Sequence, residues 1–204
     1  MKKLVLASQS PRRYQLLAQL GLDFTVLASN VKESVPSEME PAEAARQLAE
    51  LKAQDVADRI TERSDRAADH LVLGADTIVI LGQRVLGKPR NEEEASEMLA
   101  LLSGKTHRVI TAYAVVAIAG LSRQVRVGHT ETLVKMRALS TEQIRYYVAS
   151  GEPMDKAGSY GIQEKGSLLV EGVQGCYFNV VGLPIGDVAQ VLEAFGYEVW
   201  SRLA

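Results

Sequence analysis

Cysteine is almost missing from this chain of 204 residues: Cys176 stands alone. A single thiol cannot close an intrachain disulfide, which excludes a disulfide-stapled scaffold and fits a reducing cytosol. An excess of one charge is missing too. With 23 Lys and Arg against 25 Asp and Glu, the formal net charge is −2. That balance gives no general drive toward nucleic acid or anionic membranes, so any bound anion must be held by a local cluster. Long apolar runs are absent as well. The longest, residues 109–121, is flanked by Arg108 and Arg123 and falls short of the ~20 residues of a membrane helix. The run behind Lys2 and Lys3 stops at Ala7, too short for the apolar region of a signal peptide. The expectation is a soluble, cytoplasmic protein with neither membrane nor nucleic-acid partners. No P-loop, G-x-G-x-x-G, H-E-x-x-H, paired C-x-x-C or G-x-S-x-G occurs, which removes support from simple kinase, dinucleotide and zinc readings.

What is present is enough apolar material, 47% of residues, for one domain or one domain with two lobes. Residues 4–7 read as a short buried strand. Ser10 then reads as an N-cap and Pro11 as the first position of a helix that runs through Leu20 to Gly21. A strand is expected at 24–27. Pro41 opens a long helix whose apolar face carries Ala45, Leu48, Ala49, Val56 and Ile60, with Lys52 on the same face. Residues 61–70 read as a loop. A buried-type strand spans 71–81, interrupted at Asp76 and Thr77. Asn91 caps a helix whose first turn is Glu92-Glu93-Glu94, the sign the helix dipole favours. Strands at 108–118 and 124–137, joined near Gly120, suggest a hairpin. Ser140 and Gln143 form a capping-box signature. A glycine-rich section fills 151–182, a helix follows over 184–195, and 197–200 reads as a closing strand. The mixture predicts an α/β fold with a mixed β-sheet flanked by helices.

Six places can carry chemistry. Ser8-Gln9-Ser10-Pro11-Arg12-Arg13 joins a strand to a helix N-terminus, where backbone N–H groups, two hydroxyls and two guanidinium forks suit phosphate oxygens. The alternative is a capped helix with two solvated arginines. Asp76 is a carboxylate inside an apolar strand, expensive to bury unless paired, hydrogen-bonded or metal-bound. Lys52 either contributes charge or snorkels along its stem to water. Lys88 lies in Leu86-Gly87-Lys88-Pro89, a loop that either aims it at a phosphate or leaves it as an exposed turn lysine. Glu33 reads in isolation as an ordinary loop glutamate. The segment Asp155-Lys156-Ala157-Gly158-Ser159-Tyr160-Gly161-Ile162-Gln163 can approach a ligand by its backbone or form a surface turn. Cys176 reads as a small packed residue, and His70, His107 and His129 as structural.

Taken in order, these fragments resemble the Maf family of nucleoside triphosphate pyrophosphatases. The matching pieces are Ser8-Gln9-Ser10-Pro11-Arg12-Arg13, Gly74-Ala75-Asp76-Thr77-Ile78-Val79 and Gly87-Lys88-Pro89, then Ser103-Gly104-Lys105-Thr106-His107-Arg108-Val109-Ile110-Thr111. Gly151-Glu152-Pro153-Met154-Asp155-Lys156-Ala157-Gly158, Tyr160-Gly161-Ile162-Gln163 and Asn179-Val180-Val181-Gly182-Leu183-Pro184 complete the set. The pieces cover the chain almost end to end. The resemblance implies a single Maf-like domain over 1–204, an elongated mixed sheet in two lobes with a central cleft, as in the inosine triphosphatase group. It implies hydrolysis between the α- and β-phosphates with a divalent metal, Mg²⁺ or Mn²⁺, as cofactor. Arg12, Thr77 and Gln163 stand at the positions that separate the dTTP/UTP branch from the 7-methyl-GTP branch, and they match the former. The same resemblance makes Asp76 the catalytic base or a metal ligand, and Glu33 a second metal ligand. Ser8, Arg13, Lys52 and Lys88 become phosphate-binding residues, and a homodimer a family-level expectation. The alternatives within the family are a 7-methyl-GTP pyrophosphatase and a nucleotide-binding regulator of septum formation.

Overall fold

The computed structural model describes residues 2–32, 39–62 and 69–202. Its strands are β1 (Lys3–Leu6), β2 (Phe24–Val26), β3 (His70–Leu81), β4 (Arg84–Leu86), β5 (Thr106–Ala119), β6 (Ser122–Met136) and β7 (Val170–Gln174). Its helices are α1 (Pro11–Ala18), α2 (Pro41–Glu62), α3 (Glu92–Leu102), α4 (Thr141–Ala149), α5 (Tyr177–Val181) and α6 (Ile185–Ala194). The strands form one mixed sheet in the order β2-β1-β3-β5-β6-β7, with β4 paired to β3. β1 pairs in parallel with β2 and with β3, whereas β4 on β3 and β7 on β6 are antiparallel. Parallel neighbours need a long crossover, and between β2 and β3 the chain passes through α2. Among the described residues, no helix is long and apolar enough to cross a membrane.

The chain divides into two compact units. The first comprises 1–76, 111–129 and 182–204, the second 77–110 and 130–181. In the first, Leu4, Leu6, Leu17, Leu71 and Leu73 are fully or nearly fully buried, and α2 contributes Ala45, Ala49, Ala53 and Val56, all without exposed surface. These small side chains at helical spacing let α2 lie close to the sheet. In the second, Leu86, Leu99, Leu102, Val134, Met136, Tyr147 and Tyr160 share one core.

Local signals hold where the chemistry is local. The Asn91 side chain accepts from Glu94 N at 2.9 Å, and the Ser140–Gln143 capping box is complete. The two-residue turn of Gly120 and Leu121 joins β5 to β6, with Gly120 at φ 58°. Three expectations are corrected. β3 runs through Asp76 and Thr77 without interruption. Residues 197–200 form no strand: Tyr197 N donates instead to Leu192 O at the end of α6, which removes a donor a ladder would need. Finally, β7 forms inside the glycine-rich section, because β6 presents a free antiparallel partner there.

His107, 2% exposed, brings its Nε2 to 2.7 Å from the Tyr160 hydroxyl, while its Nδ1 has no partner. Burial lowers its pKa from 6.5 to about 4, since a charged ring there would be desolvated with an unpaired N–H. The neutral ring is therefore the folded form. The unfolded chain binds the extra proton between pH 6.5 and 4, so the folded state loses about 3 kcal/mol as the pH falls through that window. Urea unfolding of the native protein and His107→Gln at pH 7 and pH 4.5 tests this. The stability difference between them should move in favour of the variant by about 2–3 kcal/mol at the lower pH; an unchanged difference contradicts it.

Candidate active site

At the end of β1, Ala7 N bonds Leu73 O at 2.8 Å, and the chain then turns into α1. Ser10 occupies the N-cap position with extended dihedrals, but its side chain makes no cap bond. Ser8 takes over part of that ordering. Its buried hydroxyl accepts from Ser10 N at 3.1 Å and from Arg13 Nη1 at 3.3 Å. Arg13 also donates through Nε to Gly182 O at 2.9 Å. Arg13 thus ties the loop to the segment before α6. Arg12, beside it, is half-buried.

Asp76 lies two residues beyond Gly74 on β3, so the two positions face the same side of the strand. A Cβ at Gly74 would meet Ala49 O at 2.3 Å and Ala53 N at 2.7 Å. Only a glycine lets the α2 backbone come this near. The approach sets Lys52, between those two alanines, opposite Asp76. Lys52 Nζ donates to Asp76 Oδ1 at 2.7 Å, with both residues 7% exposed. The snorkelling alternative for Lys52 is therefore overturned. A charge-assisted bond of this length is the compensation that two buried charges require. The register Leu6↔Leu73 brings the loop after β1 level with the Gly74–Asp76 part of β3. Ligands of open α/β sheets bind at such carboxyl ends of parallel strands.

Ser8, Arg12, Arg13, Lys52 and Asp76 belong to the first unit; Thr77, Lys88 and Gln163 belong to the second. In the second unit, Gly158 N donates to Gly87 O at 3.0 Å. This links the loop that carries exposed Lys88 to the segment that leads to half-buried Gln163. A Cβ at Gly158 would lie 2.9 Å from Val79 Cγ1, so this segment packs on β3 just past Thr77. Glu33 lies outside the described residues. Tyr147, Glu152 and Tyr160 also support the Gln163 segment, and the sequence alone does not mark them. Their signal is weak, because each is unremarkable until the fold joins them.

Among the described residues, no three His, Cys, Asp or Glu side chains cluster as a metal cage. The donor chemistry at Asp76 still fits a hard divalent ion of the Mg²⁺ type, which needs only one or two carboxylates and takes its other oxygens from water and substrate phosphates.

Comparison with known proteins adds a family and its relatives. A family model described as Maf-like protein matches residues 3–195. A protein of Moorella thermoacetica named dTTP/UTP pyrophosphatase is 51% identical over 203 residues, covering all of both chains. Proteins of the same name from Acetivibrio thermocellus, 45% identical over the full length of both, and Pelotomaculum thermopropionicum, 47% identical over 98% of this chain and all of the relative, are similar along the same span.

Proposed function

The chain belongs to the Maf family, and from that premise we propose that it hydrolyses dTTP and UTP to the nucleoside monophosphate and pyrophosphate. The observation that carries this reading is the buried Lys52–Asp76 pair, 2.7 Å apart, level with the carboxyl end of β1. A buried carboxylate with a fixed orientation suits a base that takes a proton from an attacking water. Water oxygen bonds to phosphorus, the P–O bond between the α- and β-phosphates breaks, and pyrophosphate leaves with the bridging electron pair. Lys52 holds the Asp76 carboxylate in position, so its first role is orientation, with phosphate contact second. Ser8, Arg13 and Lys88 counter the triphosphate charge, the main task of a phosphoryl-transfer site.

A divalent Mg²⁺ or Mn²⁺ ion belongs to this proposal, with Asp76 and Glu33 to hold it; bound there, it supplies neutralisation of phosphate charge. Arg12, Thr77 and Gln163 are assigned to selection of the pyrimidine. The Gln163 amide can accept from ring N3–H and donate to the neighbouring carbonyl, a pattern that uracil and thymine share. The substrate pool is the cytoplasmic one, where normal and modified pyrimidine nucleotides are cleared.

A panel of nucleotides assayed with Mg²⁺ tests the reading. UTP and dTTP should show kcat/KM at least about tenfold above CTP and 7-methyl-GTP, the worth of one well-placed hydrogen bond. No turnover of UTP or dTTP sinks it. Turnover of 7-methyl-GTP alone overturns the branch assignment.

A further inference from the structure

Gln163 sits in a segment whose backbone is held on both sides by one carboxylate and one phenol. Glu152, in the turn after α4, accepts through Oε1 from the Tyr147 hydroxyl at 3.0 Å and from Gly166 N at 3.0 Å. Its Oε2 accepts from Lys165 N at 3.2 Å. The Tyr147 hydroxyl in turn accepts from Gly161 N at 3.1 Å. Residues 161, 165 and 166 therefore hang on the Glu152–Tyr147 pair, with Gln163 between them. The loop is nearly closed on itself: a Cβ at Gly166 would lie 1.9 Å from Gly161 O. On the upstream side, the Tyr160 ring is fixed by His107, and Ile162 is buried. Glu164, directly after Gln163, has φ 51°, a left-handed conformation that a non-glycine residue keeps only when its surroundings impose it. Burial, first, and the nearby Glu152 charge raise the Tyr147 pKa. The phenol thus keeps the proton it donates to Glu152.

We propose that Glu152 and Tyr147 are positioning residues for pyrimidine discrimination, holding the Gln163 segment so that its amide meets the base in one orientation. This rests on the assignment of Gln163 to the base. The chemical reason is symmetry. Uracil and thymine offer an N–H donor beside a carbonyl acceptor, whereas cytosine offers an acceptor beside an amino donor. An amide turned over by half a rotation suits cytosine as well as the original suits uracil. Discrimination therefore depends on the amide being held in one orientation, and preorganisation is what a clamp of this kind supplies.

The test compares UTP with CTP in the wild type, Tyr147→Phe, Glu152→Gln, Gln163→Ala and the double variant Tyr147→Phe/Gln163→Ala. Tyr147→Phe should lower the UTP/CTP ratio of kcat/KM by roughly tenfold, with saturated kcat for UTP within about threefold of wild type. Glu152→Gln should shift the ratio the same way, and it serves if the phenylalanine variant fails to fold. The double variant should discriminate no worse than Gln163→Ala alone, because both changes remove one function. A ratio that falls in Gln163→Ala but is unchanged in Tyr147→Phe and Glu152→Gln overturns the positioning role and leaves Gln163 in place. A ratio unchanged in Gln163→Ala, or a wild type that does not prefer UTP, overturns both.

Discussion

Asp76→Asn should lose about 10²–10⁴-fold in kcat for UTP, the span that a positioned acid–base group contributes. The substitution keeps the size of the side chain and an oxygen for Lys52 Nζ, now 2.7 Å from Asp76 Oδ1. What it removes is the proton acceptor. Nucleotide binding, measured by equilibrium dialysis, should persist. A variant within threefold of wild-type kcat contradicts the assignment of Asp76. The partner residue gives the complementary result. Lys52→Met strands a carboxylate that is 7% exposed without its cation, and breaking such a pair destabilises by about 3–5 kcal/mol. The double variant Asp76→Asn/Lys52→Met should recover part of that loss, since neither buried charge then remains. If the two single effects simply add, the residues are not coupled as their distance requires.

Gly74→Ala is the second large effect, and it acts through the backbone. The added methyl would stand 2.3 Å from Ala49 O and 2.7 Å from Ala53 N. Neither atom can move unless α2 moves as a whole. The cost should be about 3 kcal/mol, the upper end of the usual range for overpacking. In a chain of 204 residues that lowers Tm by roughly 6–12 °C. Activity should fall as well, because any retreat of α2 carries Lys52 away from Asp76. Glycine at Gly82, where an added Cβ meets nothing within 4 Å, provides the control for handling: Gly82→Asn, at a φ of 61° that asparagine tolerates better than most residues, should leave Tm and activity nearly unchanged. A Gly74→Ala protein with unchanged Tm refutes the close approach of α2 to β3.

The sequence was most readable where one short segment settles the matter. Asn91, Ser140 and Gln143 cap their helices by bonds that span three residues, and such bonds depend on nothing distant. Asp76 stood out because a carboxylate in an apolar strand must find compensation somewhere. That the compensation is Lys52 was not legible, since it needs the crossing of α2 over β3, which Gly74 sets. The strand expected at residues 197–200 had apolar alternation, but Tyr197 N is taken up by Leu192 O at the end of α6; Tyr197 and Val199 are buried regardless. Conversely, β7 contains Gly172 and reads only as part of the glycine-rich section until β6 offers it a partner. The Glu152–Tyr147–Gly161 connection was also invisible, because it joins a turn, a helix and a loop through hydrogen bonds that no periodicity marks. Arg12, Thr77 and Gln163 drew their roles from family resemblance, and their individual environments alone do not name a pyrimidine.

Cleavage of a pyrimidine triphosphate between its α- and β-phosphates is read directly by ³¹P NMR of UTP incubated with the protein and Mg²⁺. The three nucleotide resonances should give way to those of UMP and pyrophosphate alone. Orthophosphate with UDP as the first products, or an unchanged spectrum, would contradict it.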